Sequence, residues 1–245
     1  AGKLVLFETN GHYLYTKRHL RGQPGAISAV SRDVNNDGLQ GIVVLMAQGD
    51  EVVFLDTNRW NGTFTEKKLL SFLALNGSQY IDLADFNDDG FEDLIYVCGD
   101  NADQTPILKD YHGIYIYLND GKFNFSKAWF YQMNGAYKAM PNDYDLDGDL
   151  DIAAISYFPD YRSYPEESFI YLENKGDLKF TDYSFDEAIR GRWMVMDAAD
   201  MDADGDIDLA LGSCVYFLPE GDTTGINDGW LRDGPSMVVL ENTIR

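Results

Sequence analysis

The chain has 245 residues, 45% hydrophobic and 14% aromatic, enough material for a buried core and too much to remain disordered. Its 41 acidic residues against 19 basic give a formal net charge of −22, so a nucleic-acid backbone or an anionic membrane is repelled at long range. No run reaches the roughly 18 apolar residues of a membrane span, and the start, Ala1-Gly2-Lys3-Leu4, lacks a signal-peptide layout, so any export signal is expected to be removed or to lie outside these residues.

In chain order, Leu4 to Phe7 reads as a strand running into a turn at Asn10-Gly11, and Tyr13-Leu14-Tyr15 as the strand that follows. A unit of constant layout then recurs four times. An apolar strand enters a short acidic loop (Tyr80 to Ala84; Trp193 to Ala198), and a second strand leaves it (Gly41 to Met46; Asp93 to Cys98). A third follows at Glu51 to Leu55, Gly113 to Tyr117, Ser168 to Leu172 and Ser236 to Leu240, all rich in β-branched and aromatic residues. A tight turn, Asn61-Gly62, Asp120-Gly121 or Lys175-Gly176-Asp177, leads to a fourth strand from Phe64, Phe123 or Phe180. The acidic loops begin at Asp33, Asp85, Asp143 and Asp200, a spacing of 52 to 58 residues, which is the length of one four-stranded meander.

The loops read Asp-Val-Asn-Asn-Asp-Gly, Asp-Phe-Asn-Asp-Asp-Gly, Asp-Tyr-Asp-Leu-Asp-Gly and Asp-Met-Asp-Ala-Asp-Gly. Oxygen side chains on alternate residues, followed by a glycine that permits a sharp bend, suit a hard cation that collects six to eight oxygens at about 2.3–2.6 Å, and the cation expected is calcium. A helix-flanked EF-hand is excluded, because its twelfth position requires Glu and here holds Val44, Tyr96, Ala154 and Leu211. Position nine instead carries Asp93, Asp151 and Asp208 at the mouth of the second strand.

With this D-x-[DN]-x-D-G-x-x-D pattern between two strands the chain resembles the FG-GAP/VCBS repeat family, the calcium-bearing blades of β-propellers such as integrin α-subunit heads. The resemblance spans nearly the whole chain. It implies side-chain ligands Asp85, Asn87, Asp89 and Asp93 in the second loop, Asp143, Asp145, Asp147 and Asp151 in the third, and Asp200, Asp202, Asp204 and Asp208 in the fourth. It also implies a backbone carbonyl from position seven: Phe91, Asp149 or Asp206. The first loop keeps Asp33, Asn35 and Asp37 but has Gly41 at position nine, so three calcium sites are expected and the fourth is expected to be weak or empty.

The fold class expected is therefore all-β, a β-propeller of four-stranded antiparallel blades with calcium loops between strands one and two. The units are a half-blade at 1–20, blades at 25–70, 78–131 and 136–186, and a last blade at 192–245 without its fourth strand. Nearly continuous apolar second strands call for burial on both faces, as when blades stack around an axis. A linear solenoid is the alternative, although calcium solenoids use a much shorter glycine-rich repeat. Either the amino-terminal strands complete the last blade, or further blades or subunits complete the propeller.

The loops between strands two and three lie on the face opposite the acidic loops. They are long at Gly99 to His112, Pro159 to Glu167 and Pro219 to Pro235. These carry Tyr111, His112, Tyr161, Arg162, Tyr164, Trp230 and Arg232, candidates for a protein- or glycan-binding face, against the plainer reading that such aromatics pack each loop onto its own blade. Trp129 and Trp193 fall in strands and are expected in the core. Cys98 and Cys214 are read as small buried residues rather than a disulfide. No HExxH, GxSxG, P-loop or dinucleotide motif is present, and calcium ligation already accounts for the paired carboxylates, so no catalytic residue is assigned. Together these features lead to the expectation of an extracellular, periplasmic or cell-surface recognition module with structural calcium. The alternatives are part of a polysaccharide-active enzyme or a scaffold subunit of a larger complex.

Overall fold

Runs of β-branched and aromatic residues broken by Gly- and Asp-bearing turns favour short antiparallel strands joined in sequence. The computed structural model describes residues 2–9, 11–57, 63–100, 107–216, 218 and 222–244. It contains five antiparallel sheets in chain order. The first pairs β1 (Leu4–Thr9) with β2 (Tyr15–Arg21). The second is β3 (Ala26–Arg32), β4 (Gly41–Met46), β5 (Glu51–Thr57) and β6 (Phe64–Ser71). The third is β7 (Ser78–Ala84), β8 (Asp93–Cys98), β9 (Gly113–Asn119) and β10 (Phe125–Gln132). The fourth is β11 (Ala136–Asn142), β12 (Asp151–Ser156), β13 (Phe169–Asn174) and β14 (Phe180–Tyr183). The last has three strands, β15 (Trp193–Ala199), β16 (Asp208–Ser213) and β17 (Met237–Leu240). Each four-stranded sheet is a meander in which every strand pairs with its chain neighbour, consistent with a propeller-like blade. The Asn61-Gly62 turn expected before β6 lies outside the described residues.

The core lies between the sheets. Val43, Leu45 and Phe54 of the second sheet pack on Leu83, Leu94 and Tyr96 of the third. Ile95, Val97, Ile114 and Ile116, on the other side of the third sheet, meet Ala139, Ile152, Ala154 and Leu172 of the fourth. Ala153, Ile155 and Phe169 then meet Trp193, Met196, Leu209 and Leu211 of the last. Every residue of β8 and β12 is buried, as expected for strands covered on both faces. Each such Ile or Leu contributes roughly 1.5–3 kcal/mol relative to its exposed state. In β16 the alternate residues Ala210 and Gly212 are only half-buried, because no sheet among the described residues lies against that side.

The amino-terminal strands do not complete the last sheet. They pair with each other, and Leu4 and Leu20 pack on Val44, Met46, Val53 and Leu55 of the second sheet, at the other end of the array. Among the described residues no sheet closes a ring.

A register shift recurs at the start of β3, β7, β11 and β15, always at the end away from the acidic loops. Such a bulge adds local twist. The residue just before the strand is glycine in three of the four sheets, and at Gly135 (φ +62°) an added Cβ would lie 2.4 Å from the Phe158 carbonyl oxygen. Arg192 holds the corresponding place before β15. Its side chain is 1% exposed, its Nε donates to the Tyr157 carbonyl at 3.2 Å, and its guanidinium lies 3.9 Å from the Tyr157 ring centroid and 5.0 Å from that of Phe158. The cation thereby joins the last sheet to the β12–β13 connection.

His112 is fully buried, and neither ring nitrogen has a hydrogen-bond partner. Burial, with nearby Lys109, lowers its pKa from the ordinary 6.5 to about 4. The unfolded chain therefore takes up a proton that the folded chain refuses; the contribution is complete above pH 6.5 and is lost as pH falls towards 4. His112→Phe keeps a ring against Tyr111 and removes two unpaired nitrogens. Compared with the parent, the variant is expected to lose less stability between pH 6.5 and 4, by up to about 3 kcal/mol, in denaturant titrations at each pH. Parallel pH profiles would show that the imidazole does not titrate this way.

Candidate metal centre

Each acidic loop joins the first strand of a sheet to the second, and all four adopt one conformation. The fourth residue, Asn36, Asp88, Leu146 or Ala203, has φ between 53° and 65°, and the glycine two residues later has φ between 83° and 105°. Two successive left-handed bends separated by one residue are open to a six-residue loop only if the second falls on glycine or a similarly tolerant residue. The first aspartate caps this bend: its Oδ2 accepts the glycine N–H at 2.8, 2.7, 3.1 and 3.2 Å in the four loops. The aspartate at position five accepts the N–H of position seven at 2.8 to 3.3 Å.

The closing aspartates are of a different kind. Asp93, Asp151 and Asp208 are 0%, 0% and 2% exposed. Each uses Oδ2 to accept the N–H of the second loop residue, Phe86 (3.0 Å), Tyr144 (3.2 Å) or Met201 (2.9 Å). In the fourth sheet the Tyr171 hydroxyl also donates to Asp151 Oδ2 at 2.7 Å. Burial pushes the Asp93 carboxyl up to about 6 and raises that of Asp151. Desolvation and then the Asp151 charge push Asp145 up to about 6, and desolvation followed by neighbouring loop carboxylates raises Asp202 and Asp206. The common cause is desolvation at the mouth of a sheet, to which neighbouring ionised carboxylates add for Asp93, Asp145, Asp202 and Asp206.

In the third loop, carboxylate oxygens of Asp143, Asp145 and Asp151 lie within 4.8 Å of one another, as do those of Asp200, Asp202 and Asp208 in the fourth. Positions one, three and nine are thus brought together. Asp147 and Asp204, at position five, and Asp149, at position seven, are outside these groups. In the second loop Asp85, Asn87, Asp89 and Asp93 occupy the same backbone frame, with the Asn87 amide donating to Asp89 Oδ2 at 3.0 Å. Phe91, at position seven, lies under the β9–β10 turn, where a Cβ on Gly121 would meet its ring at 2.6 Å.

An oxygen-only donor set fits a hard cation. So do buried oxygens without a hydrogen bond: Asp143 Oδ1 and both carboxylate oxygens of Asp206. Bound there, calcium would supply the positive charge that the clustered carboxylates lack, and Asp143, Asp145, Asp151, Asp200, Asp202 and Asp208 would hold it.

The first loop keeps the bend but not the closing carboxylate. Asp33 and Asp37 make the same backbone contacts, while the Asn35 amide turns to Asp56 Oδ1 at 3.1 Å. Gly41 is required by packing, since a Cβ there would lie 2.2 Å from Cε2 of Phe54.

On the opposite face, the long connections form a cleft of about 510 Å³ lined by Tyr161, Arg162, Ile189, Arg190, Trp230 and Asp233. Its wall includes an eight-residue helix, α1 (Ile226–Asp233), inside the β16–β17 connection, which the loop reading of that segment missed. Tyr161 and Trp230 are 8% and 4% exposed, edge to face at 5.3 Å. Their polar ends point inward, the Tyr161 hydroxyl to the Tyr157 carbonyl at 2.7 Å and the Trp230 indole N–H to that of Ile189 at 2.8 Å. For these two the loop-packing reading holds, with only their margins facing the cleft. His112 has no exposed surface and does not present to a partner, and Tyr111 ties its hydroxyl to the Leu75 carbonyl at 3.1 Å. Arg162, Tyr164 and Arg232 are exposed, Arg232 beside Asp233. Trp193 is fully buried, and Trp129 is half-buried against the core. Both cysteines are free; Cys98 is buried, with its thiol pushed up to about 11 by burial, and Cys214 is only half-buried. Among the described residues no helix is long and apolar enough to cross a membrane.

The family model for the FG-GAP-like repeat matches residues 33–96 and 143–211, more than half of the 245 residues and all four acidic loops. A search of curated proteins finds no match.

Proposed function

The chain belongs to the FG-GAP-like repeat family, and from that membership we propose that it is a calcium-stabilised, propeller-type recognition module acting outside the cytosol. Calcium is structural in this reading: it neutralises carboxylates on loops that already hold their bend through backbone hydrogen bonds, and it adds its binding free energy to folding. Sites of this type fill where calcium is millimolar, which favours an extracellular, periplasmic or cell-surface setting.

The recognition face is the one opposite the calcium loops, and one observation carries this assignment. The cleft of about 510 Å³ is built from segments that the repeat does not require: the β12–β13 and β16–β17 connections and the turn before β15. The ligand is a protein or a glycan, met at the rim by Arg162, Tyr164 and Arg232, with Ile189 and the margins of Tyr161 and Trp230 beneath. No sequence motif of a known active site accompanies it, and binding without turnover is the reading put to the test.

The test is a glycan array and a crosslinking capture of protein partners, run beside a polysaccharide hydrolysis and lyase screen on the same preparation. Binding lost on Arg162→Ala with Tyr164→Ala, without turnover, supports the module. Cleavage of a polysaccharide would replace it with an enzyme, and binding indifferent to both substitutions would move the site elsewhere.

A second reading, a scaffold subunit, is favoured by the outer side of the last sheet. Val195, Met237 and Val239 are 62%, 65% and 48% exposed there. They stand on the side that, in the fourth sheet, the next sheet covers through Ala153, Ile155 and Phe169. A sheet of this same kind, from this or another chain, is the occupant such a face suits. Concentration-dependent association that Met237→Glu abolishes supports it, and a strictly monomeric parent at high concentration would remove it.

A further inference from the structure

Every closing aspartate meets an asparagine at the end of the third strand, or, for Asn242, two residues beyond it. The backbone N–H of Asn119, Asn174 and Asn242 donates to Oδ1 of Asp93, Asp151 and Asp208, at 2.8 Å in all three. The side chain of the same asparagine reaches back to the loop: its Nδ2 donates to the carbonyl of position eight, Glu92 (3.1 Å), Leu150 (3.2 Å) or Ile207 (3.4 Å). Its Oδ1 accepts an N–H two residues on, from Gly121 (3.1 Å), Gly176 (3.1 Å) or Ile244 (3.3 Å). One side chain thus joins the acidic loop to the segment after the third strand. Asn242 Nδ2 also reaches the Tyr144 carbonyl of the preceding sheet's loop, at 2.7 Å.

The first sheet supplies the contrast. It lacks the closing carboxylate, and at the place of the asparagine it has Thr57, since Thr57 follows Leu55 as Asn119 follows Tyr117 in matching registers. Yet its loop has the same left-handed bends as the other three, and the same hydrogen bonds from the glycine to position one and from position seven to position five. The asparagine is therefore not what shapes the loop. It accompanies the carboxylate.

Resting on the calcium reading above, we propose that Asn119, Asn174 and Asn242 are positioning residues for the bound cation. Each fixes the closing carboxylate from behind and engages the carbonyl of position eight. The free electron pairs of the carboxylate and the carbonyl of position seven are thereby left for the metal. The backbone N–H holds the carboxylate whatever the side chain, whereas the contact to position eight needs the asparagine amide: an aspartate there has no donor for that carbonyl, and an alanine frees the position-eight peptide.

The experiment uses the full chain. Calcium titration by calorimetry and terbium luminescence are compared for the parent, Asn174→Ala and Asn174→Asp, with unfolding midpoints in chelator. The parent is expected to bind at three strong sites. Asn174→Ala is expected to weaken one site at least tenfold and to leave two unchanged, and Asn174→Asp, which loses the same contact but adds a charge that attracts the cation, to weaken it less. Three unchanged affinities, with midpoints lowered equally in calcium and in chelator, would make the asparagine a structural brace only and overturn the proposal. A parent that binds neither calcium nor terbium would instead overturn the calcium reading itself. Asn119→Ala, in a different sheet, gives the same readout if the Asn174 variants do not fold.

Discussion

Chelation is expected to lower the thermal unfolding midpoint by on the order of 15–30 °C relative to the protein in millimolar calcium. A cation present at a hundred times its dissociation constant contributes about 2.7 kcal/mol per site, and a chain of this size shifts by about 2–4 °C per kcal/mol. Three loops carry the full set of positions one, three, five and nine, and the third and fourth bring three carboxylates within 4.8 Å. Removing the cation also leaves these like charges together, each pair opposing the fold by about 1 kcal/mol at 4 Å in water and more where solvent is excluded. The measurement is differential scanning calorimetry with and without chelator, with magnesium as a control for a simple charge effect. A midpoint that moves by less than about 2 °C would deny calcium its structural role. Asp145→Ala and Asp202→Ala are expected to shrink the calcium increment more than Asp33→Ala, whose loop lacks a ninth-position carboxylate.

The second large effect is expected from Asp151→Ala, and it persists in chelator. This carboxylate is fully buried and accepts from Tyr144 N, Asn174 N and the Tyr171 hydroxyl. Its removal leaves two backbone donors without partners, each costing about 1–3 kcal/mol, with a smaller loss at the hydroxyl. A total of about 3–6 kcal/mol follows, against about 1 kcal/mol or less for Asp147→Ala, whose exposed side chain caps only Asp149 N at 2.9 Å. Chemical denaturation of both variants in chelator checks this. Equal losses would show that the closing aspartate acts through the metal alone.

Much of the candidate site was legible because it is local. A loop that collects its own oxygens and turns on its own glycine is written within nine consecutive residues, and the strands beside it carry their own apolar runs. The order of strands within each sheet followed from the same short-range signals. The asparagines were missed because they stand 26, 23 and 34 residues beyond the aspartates they serve, across connections of different length. A signal did exist in Asn119-Asp120-Gly121 and Asn174-Lys175-Gly176, where an asparagine precedes the turn at the same offset from the third strand.

Alternation of oxygen side chains, one glycine per loop and the four-strand period depend on the sequence alone, since each is set by neighbours a few residues away. Tertiary structure alone decided the rest. It put Gly41 under the Phe54 ring, closed an aromatic slot around Arg192, buried His112, and turned the hydroxyl of Tyr161 and the indole N–H of Trp230 inward. It also kept the amino-terminal strands away from the last sheet. The reason is that burial is a property of two surfaces in contact, and the partner surface of each of these residues is supplied by a segment whose distance along the chain no local pattern encodes.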